Sequence, residues 1–169
     1  MELKKMKVFF KAIGEDYILD QHNFGGLKLS FVQVLNNSEN EIQSFSQDIP
    51  ELDFFDKWNK LRKYLLMFTE LEETEDRVRV VQLDIKELEE DLYSLAMHGH
   101  KKLEFSTGAL YLKTPIKSEV MKDDAEYQES CNMPKDLSKL LRELIECADR
   151  YVKGHRLQAK LFDVEDEQA

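Results

Sequence analysis

The sequence predicts an α+β fold: a single domain over residues 1–162, with a mainly antiparallel sheet of about five strands packed by three amphipathic helices in the order ββαβαββα. Three observations carry this. Apolar residues recur at helical spacing through residues 48–71, where Leu52, Phe55, Trp58, Leu61, Leu65 and Phe68 fall on one stripe. They alternate at strand spacing near the start, with Met6, Val8, Phe10 and Ala12 on one face. A second, longer stripe follows Pro134, formed by Leu137, Leu140, Leu141, Leu144, Ile145, Ala148 and Val152.

The first strand, residues 5–13, places lysines among its outward positions. Gly14, Glu15 and Asp16 read as a turn, and Gly25-Gly26 as a second break. Residues 27–35 are rich in β-formers, but their apolar face switches sides around Phe31-Val32, which predicts a bulge or burial on both faces. Residues 36–47 form a polar connection. Asp48 stands three residues before Glu51, a capping box for the central helix, and Pro50 occupies its first turn, where a missing N–H costs nothing. That helix carries the only Trp and ends in an acidic turn over residues 70–76.

A short strand is expected over residues 77–83. Asp84 and Glu87 form a second capping box, and Ile85, Leu88, Leu92 and Leu95 predict a helix that runs to Gly99. Ser106, Thr107, Gly108 and Ala109 then mark a hairpin between residues 103–105 and 110–112. Residues 115–133 lack periodicity. In the last helix Glu146–Arg150 and Asp149–Lys153 are expected as outward pairs, and residues 163–169 as an acidic tail.

The chain has 169 residues, 42% hydrophobic and 34% charged, and a domain of that size buries roughly 70% of its unfolded surface. Lys4, Lys5 and Lys7 are followed by too short an apolar run for a leader, and no stretch is long enough to span a bilayer. Location in the cytoplasm, without membrane association, is the expectation. Cys131 and Cys147 are then free thiols.

The net charge of −10 is distributed in blocks: residues 39–56 hold six acids and no base, and residues 70–76 hold five. Such a balance disfavours direct binding to nucleic acid, though a local basic patch is compatible with it.

No motif carries chemistry by itself. His98-Gly99-His100 could supply two imidazoles to a metal, since i, i+2 side chains of an extended segment project to one side. At a predicted helix end, however, Gly99 and His98 suit capping better. Cys131 could act as a nucleophile with His22 or His155, but Glu126 and Glu129 nearby oppose a thiolate. The acids around residue 124 lack the glycine and spacing of a calcium loop. No phosphate-cradling glycine motif is present, and no cofactor is implied. The basic positions of the last helix (Lys139, Arg142, Arg150, Lys153, Arg156) are interspersed with acids and read as a solvated face.

The functional expectation is a small acidic binding protein without catalytic activity, which holds or inhibits a basic or nucleic-acid-handling protein partner. Phage-encoded inhibitors and toxin-immunity proteins share this build by type alone. Asp123, Asp124, Glu126, Tyr127 and Glu129 are the expected contact, because Tyr anchors interfaces well beside charge. The alternatives are a metal-dependent hydrolase using His98 and His100, and a nucleic-acid-binding module.

Overall fold

In the computed structural model, which describes residues 2–88, 91–119 and 132–154, seven strands form one sheet with helices packed on one of its faces. The elements in chain order are β1 (Glu2–Ala12), β2 (Phe24–Leu35), β3 (Ser38–Ser46), α1 (Leu52–Asn59), α2 (Arg62–Thr69), β4 (Val78–Glu87), β5 (Tyr93–Lys102), β6 (Ala109–Lys113), β7 (Lys117–Ser118) and α3 (Lys135–Val152). The sheet order is β3-β2-β1-β4-β5-β6, with β7 paired to β5, and all these strand pairings are antiparallel. The α+β class therefore holds, but with more strands than expected.

The strand expected over residues 77–83 is present as the start of β4, but its continuation and the whole of β5 lie where the sequence predicted a helix. Asp84 and Glu87 are in β4, and residues 93–99 are in β5, joined by a reversal in which Asp91 takes the left-handed conformation. Leu88, one of the four residues that suggested a helix, is 41% exposed in that reversal. Alternation is the pattern that governs: Leu83 and Ile85 on β4, then Leu95 and Met97 on β5, all face the core. A bulge hides it from sequence inspection. Val80 pairs with Gly99 and Gln82 with His98, so Val81 is an extra residue that shifts the buried set from even to odd positions.

β3 was expected to be a loop. Its side chains are exposed almost throughout, so burial left no apolar pattern to read. Asn36 and Asn37 both adopt positive φ, which makes a two-residue hairpin turn that matches strand twist. The bulge expected near Phe31-Val32 exists, but on the facing strand: Leu3 pairs with Gln33 and Lys5 with Val32, leaving Lys4 extra. Gly25-Gly26 is a bulge within β2 and not a turn. Gly26 has φ +151, and a Cβ there would lie 2.5 Å from the Phe45 ring.

The central helix is divided at Lys60-Leu61, where the backbone keeps helical angles but Leu61 N–H bonds the Trp58 carbonyl three residues back. Its N-cap is Glu51, without a side-chain cap, so the Asp48–Glu51 box does not define its start. Phe54, Phe55 and Trp58 of α1 meet Phe10 and Phe24 with ring centroids 5.8–6.3 Å apart. The indole N–H donates to the Val80 carbonyl at 2.8 Å, beside the bulge that interrupts the ladder. About two turns on, Leu65 of α2 lies against β5 at Gly99, where a Cβ would come within 2.4 Å of its methyl group.

α3 completes the layer. Leu137, Leu140, Leu141, Leu144 and Ala148 are buried as predicted, and so are Cys147 and Tyr151, while Val152 is half exposed. The Asp149–Lys153 pair forms at 2.8 Å, but Arg150 reaches Asp53 of α1 in place of Glu146. Among the described residues no helix is long and apolar enough to cross a membrane.

Trp58→Ala removes a fully buried ring and orphans the Val80 carbonyl, so it should lower unfolding free energy by about 3–5 kcal/mol in urea titration. A loss below about 1 kcal/mol would contradict the packing described.

Candidate functional site

The same alternation that sends Met6, Val8 and Phe10 into the core sends Lys5, Lys7, Phe9 and Lys11 to the opposite face, which no described helix covers. Strand register assembles that face in rows. One row runs Glu41, Val32, Lys5, Lys86, Ser94 across five strands. The next runs Gln43, Ser30, Lys7, Asp84, Ala96. A third runs Phe45, Lys28, Phe9, Gln82, His98, Lys113 across six. Beyond it Arg79, His100 and Tyr111 sit opposite one another. Part of the first three rows lines a groove of about 620 Å³ that includes Lys5, Lys7, Phe9, Lys28 and Gln82.

Lys5, Lys7, Lys11, Lys28, Lys86 and Lys113 are all exposed, and among the described residues none of these six is in an ion pair. Lys5 and Lys86 even face each other directly across β1 and β4, a like-charge pairing that destabilises a sheet. Three acids on this face are each engaged: Glu39 with the bulged Lys4 at 2.6 Å, Asp84 with His98, and Glu41, which accepts from the Gln43 amide at 3.2 Å. Cations on the helix side are mixed: among the described residues Lys60, Arg62, Lys63, Lys135 and Lys139 are also in no ion pair, but six others are engaged. Lys57, Arg77, Lys101, Arg142, Arg150 and Lys153 each pair with a carboxylate of this chain. The helix α3 positions Arg142, Arg150 and Lys153 are thus neutralised locally, while Arg156 lies outside the described residues.

Aromatic rings interleave with the lysines. Phe45 is 53% exposed and stands opposite Lys28, which stands opposite Phe9; Tyr111 is 57% exposed near the far edge. Cations that track a backbone and apolar rings that accept a flat base are the two components of single-strand recognition.

His98 and His100 do project to one side, as i, i+2 residues of a strand, and Gly99 is not a helix terminator. His98 is buried with both ring nitrogens engaged: Nε2 meets Asp84 Oδ2 at 2.6 Å, and Nδ1 meets the Tyr111 hydroxyl. Burial pushes the Asp84 carboxyl up, but hydrogen bonds from His98 and Gln82 outweigh this and hold it below the usual carboxylate range. His100 takes no part in that chain. Its Nδ1 is buried without a partner, and burial, then the Arg79 charge, lowers its pKa and favours the neutral ring. Among the described residues no group of three or more His, Cys, Asp or Glu side chains is placed to hold a metal ion.

Asp123, Asp124, Glu126, Tyr127 and Glu129 lie outside the described residues, as do Cys131, His155 and the tail at 163–169. Cys147 is buried and its thiol is pushed up by that burial, which keeps it protonated. What sequence inspection missed is the lysine face. Its signal was present in Lys5, Lys7, Phe9 and Lys11, but the other members come from four strands that only register brings together. No protein-family model, curated protein or solved structure matches the chain.

Because the folded His100 pKa is lowered, the unfolded chain binds this proton first as pH falls below about 6.5. Stability from the neutral ring is fully present above that pH and is lost as pH drops toward the folded pKa. His100→Gln should therefore flatten the decline in urea midpoint between about pH 7.5 and 5, whereas parallel profiles would contradict the assignment.

Proposed function

We propose that this protein is a binding module for a single-stranded nucleic acid, with the uncovered sheet face as its contact surface. One observation supports this above the others: six exposed lysines without carboxylate partners share one face of a chain whose net charge is −10. In register only Lys7 of the six stands directly opposite an acid, Asp84, and that carboxylate is engaged by His98. The overall charge does not oppose such binding strongly. A helix layer about 10 Å thick separates the face from acids on the far side, against a Debye length of about 8 Å at 0.15 M salt.

Phe9 and Phe45 add stacking surfaces that accept any base, which favours a strand with little sequence preference. A duplex would leave those rings without a base to stack on. The competing expectation is an acidic surface gripping a basic protein partner through Asp123, Asp124, Glu126, Tyr127 and Glu129, and it predicts no retention on a polynucleotide.

A second reading, hydrolysis, rests on Asp84, His98 and Tyr111. A carboxylate-oriented imidazole bonded to a hydroxyl is the arrangement that prepares a nucleophile. A metal at His98 would have to displace Asp84 or Tyr111. Stoichiometric zinc or manganese in the purified protein, lost in His98→Ala, would favour metal-dependent hydrolysis over the binding module.

Oligothymidylate binding, followed by fluorescence anisotropy against salt, tests the main reading. Six lysines at about −0.7 each give a limiting slope of log affinity against log salt near −4. The triple variant Lys5→Glu, Lys7→Glu, Lys28→Glu should bind at least about tenfold more weakly at 0.15 M salt, with a slope shallower by about 2 and a nearly unchanged unfolding midpoint. No retention of the unaltered protein at that salt would overturn the proposal in favour of a basic protein partner.

A further inference from the structure

At one end of the lysine face a cavity of about 310 Å³ is lined by Arg79, His100 and Lys102 from the sheet, Tyr17 from the segment after β1, and Thr107 from the β5–β6 loop. Its volume is at the lower bound of small-molecule sites. Arg79 is half-buried, and its guanidinium carbon lies 4.6 Å from the centre of the buried Tyr17 ring, a stack that fixes the guanidinium. Among the described residues its one hydrogen bond is a long one, Nη1 to the Asp16 carbonyl at 3.4 Å, and its buried Nε has no partner. Among the described residues Arg79 is in no ion pair. A guanidinium held in place by a ring, with its Nε out of water and no counter-ion, is suited to take an anion bidentately.

Resting on the reading of the face, we propose that this cavity seats the terminal phosphate of the bound strand. A phosphate monoester presents the paired oxygens that a held guanidinium takes bidentately, which an internal diester offers less well. Lys102 adds a second positive charge, and the Thr107 hydroxyl and the backbone around Gly108, at φ +101, supply polar groups at the loop. Glu15 also lines the cavity and is exposed, so the two cations outweigh a single acid that water screens. Register places the cavity correctly for a strand lying on the face. Arg79, His100 and Tyr111 form the row next to the one that holds Phe9, Gln82, His98 and Lys113.

The test compares oligothymidylate carrying a 5′-phosphate, a 3′-phosphate or hydroxyl ends. A phosphate at one end should tighten binding by about tenfold, or 1.4 kcal/mol. The ratio of phosphorylated to hydroxyl-ended affinity should fall to about one in Arg79→Gln. In Lys7→Glu it should persist while both affinities drop. Equal affinity for all three strands, or a ratio that survives Arg79→Gln, would overturn the cavity and leave the face intact. A second arm is independent of the face: thymidine 5′-monophosphate and thymidine are titrated while the His100 imidazole resonances are followed by NMR. A shift given by the nucleotide alone, and lost in Arg79→Gln, supports the cavity even if no strand is retained. The absence of any phosphate-dependent shift would overturn it.

Discussion

The α1–α2 segment rests on β4 and β5 through two contacts that fix the rest of the molecule. Trp58 donates its indole N–H to the Val80 carbonyl at the β4 bulge, and Leu65 lies over Gly99, where the absence of a Cβ lets the helix approach. Together they commit one face of the sheet to the core. The bulge at Val81 keeps the second half of β4 on the same side after its parity shifts, so Leu83 and Ile85 join Val78 and Val80 beneath the helices. Once that face is assigned, the period of two along each strand assigns the other face to water. Lys5 and Lys7 point outward because Met6 and Val8 point inward.

The distribution of charge follows from the same division. Where helices pack, several cations lie beside acids contributed by neighbouring elements: Arg150 of α3 reaches Asp53 of α1, and Arg142 reaches Glu119. On the open face the neighbouring outward positions are mostly Lys, Ser, Gln and Phe, so its lysines mostly meet other lysines or neutral groups; Lys7, opposite Asp84, is the exception, and that carboxylate is taken by His98. Exposed ion pairs are each worth about 0–1 kcal/mol, so their absence costs the fold little. Juxtaposed like charges such as Lys5 and Lys86 are mildly unfavourable, and an arriving polyanion relieves that repulsion. Binding and folding therefore make different demands on this face.

Much of the core was legible in the sequence because it is written in strong periods. The stripe from Leu137 to Ala148 and the alternation from Met6 to Phe10 each name their own buried side. The failures have specific causes. Residues 84–99 satisfied a helical template because a turn interrupts the strand alternation there, leaving Leu88 at a spacing that mimicked a helix, while the bulge at Val81 had already shifted the parity of the strand before it. β3 was invisible because neither of its faces is buried, although Asn36-Asn37 carried the turn signal. The site was least legible of all. The number of charges along a chain says nothing of which side of a sheet they occupy, and the acidic blocks concealed six lysines that alternate with core residues or face them across strands. The cavity at Arg79 and Tyr17 joins residues 62 positions apart, which no local pattern could reveal.

The central claim is that one face of this sheet is packed and the other is open, cationic and used. Lysine acetylation measured residue by residue by mass spectrometry, with and without excess oligothymidylate, tests it most directly. The account predicts that Lys5, Lys7, Lys28 and Lys86 react readily in the free protein and are protected by the strand, while Lys60, Lys63 and Lys139 are unaffected. Protection spread evenly over both sets, or greatest at Lys60, Lys63 and Lys139, would contradict it.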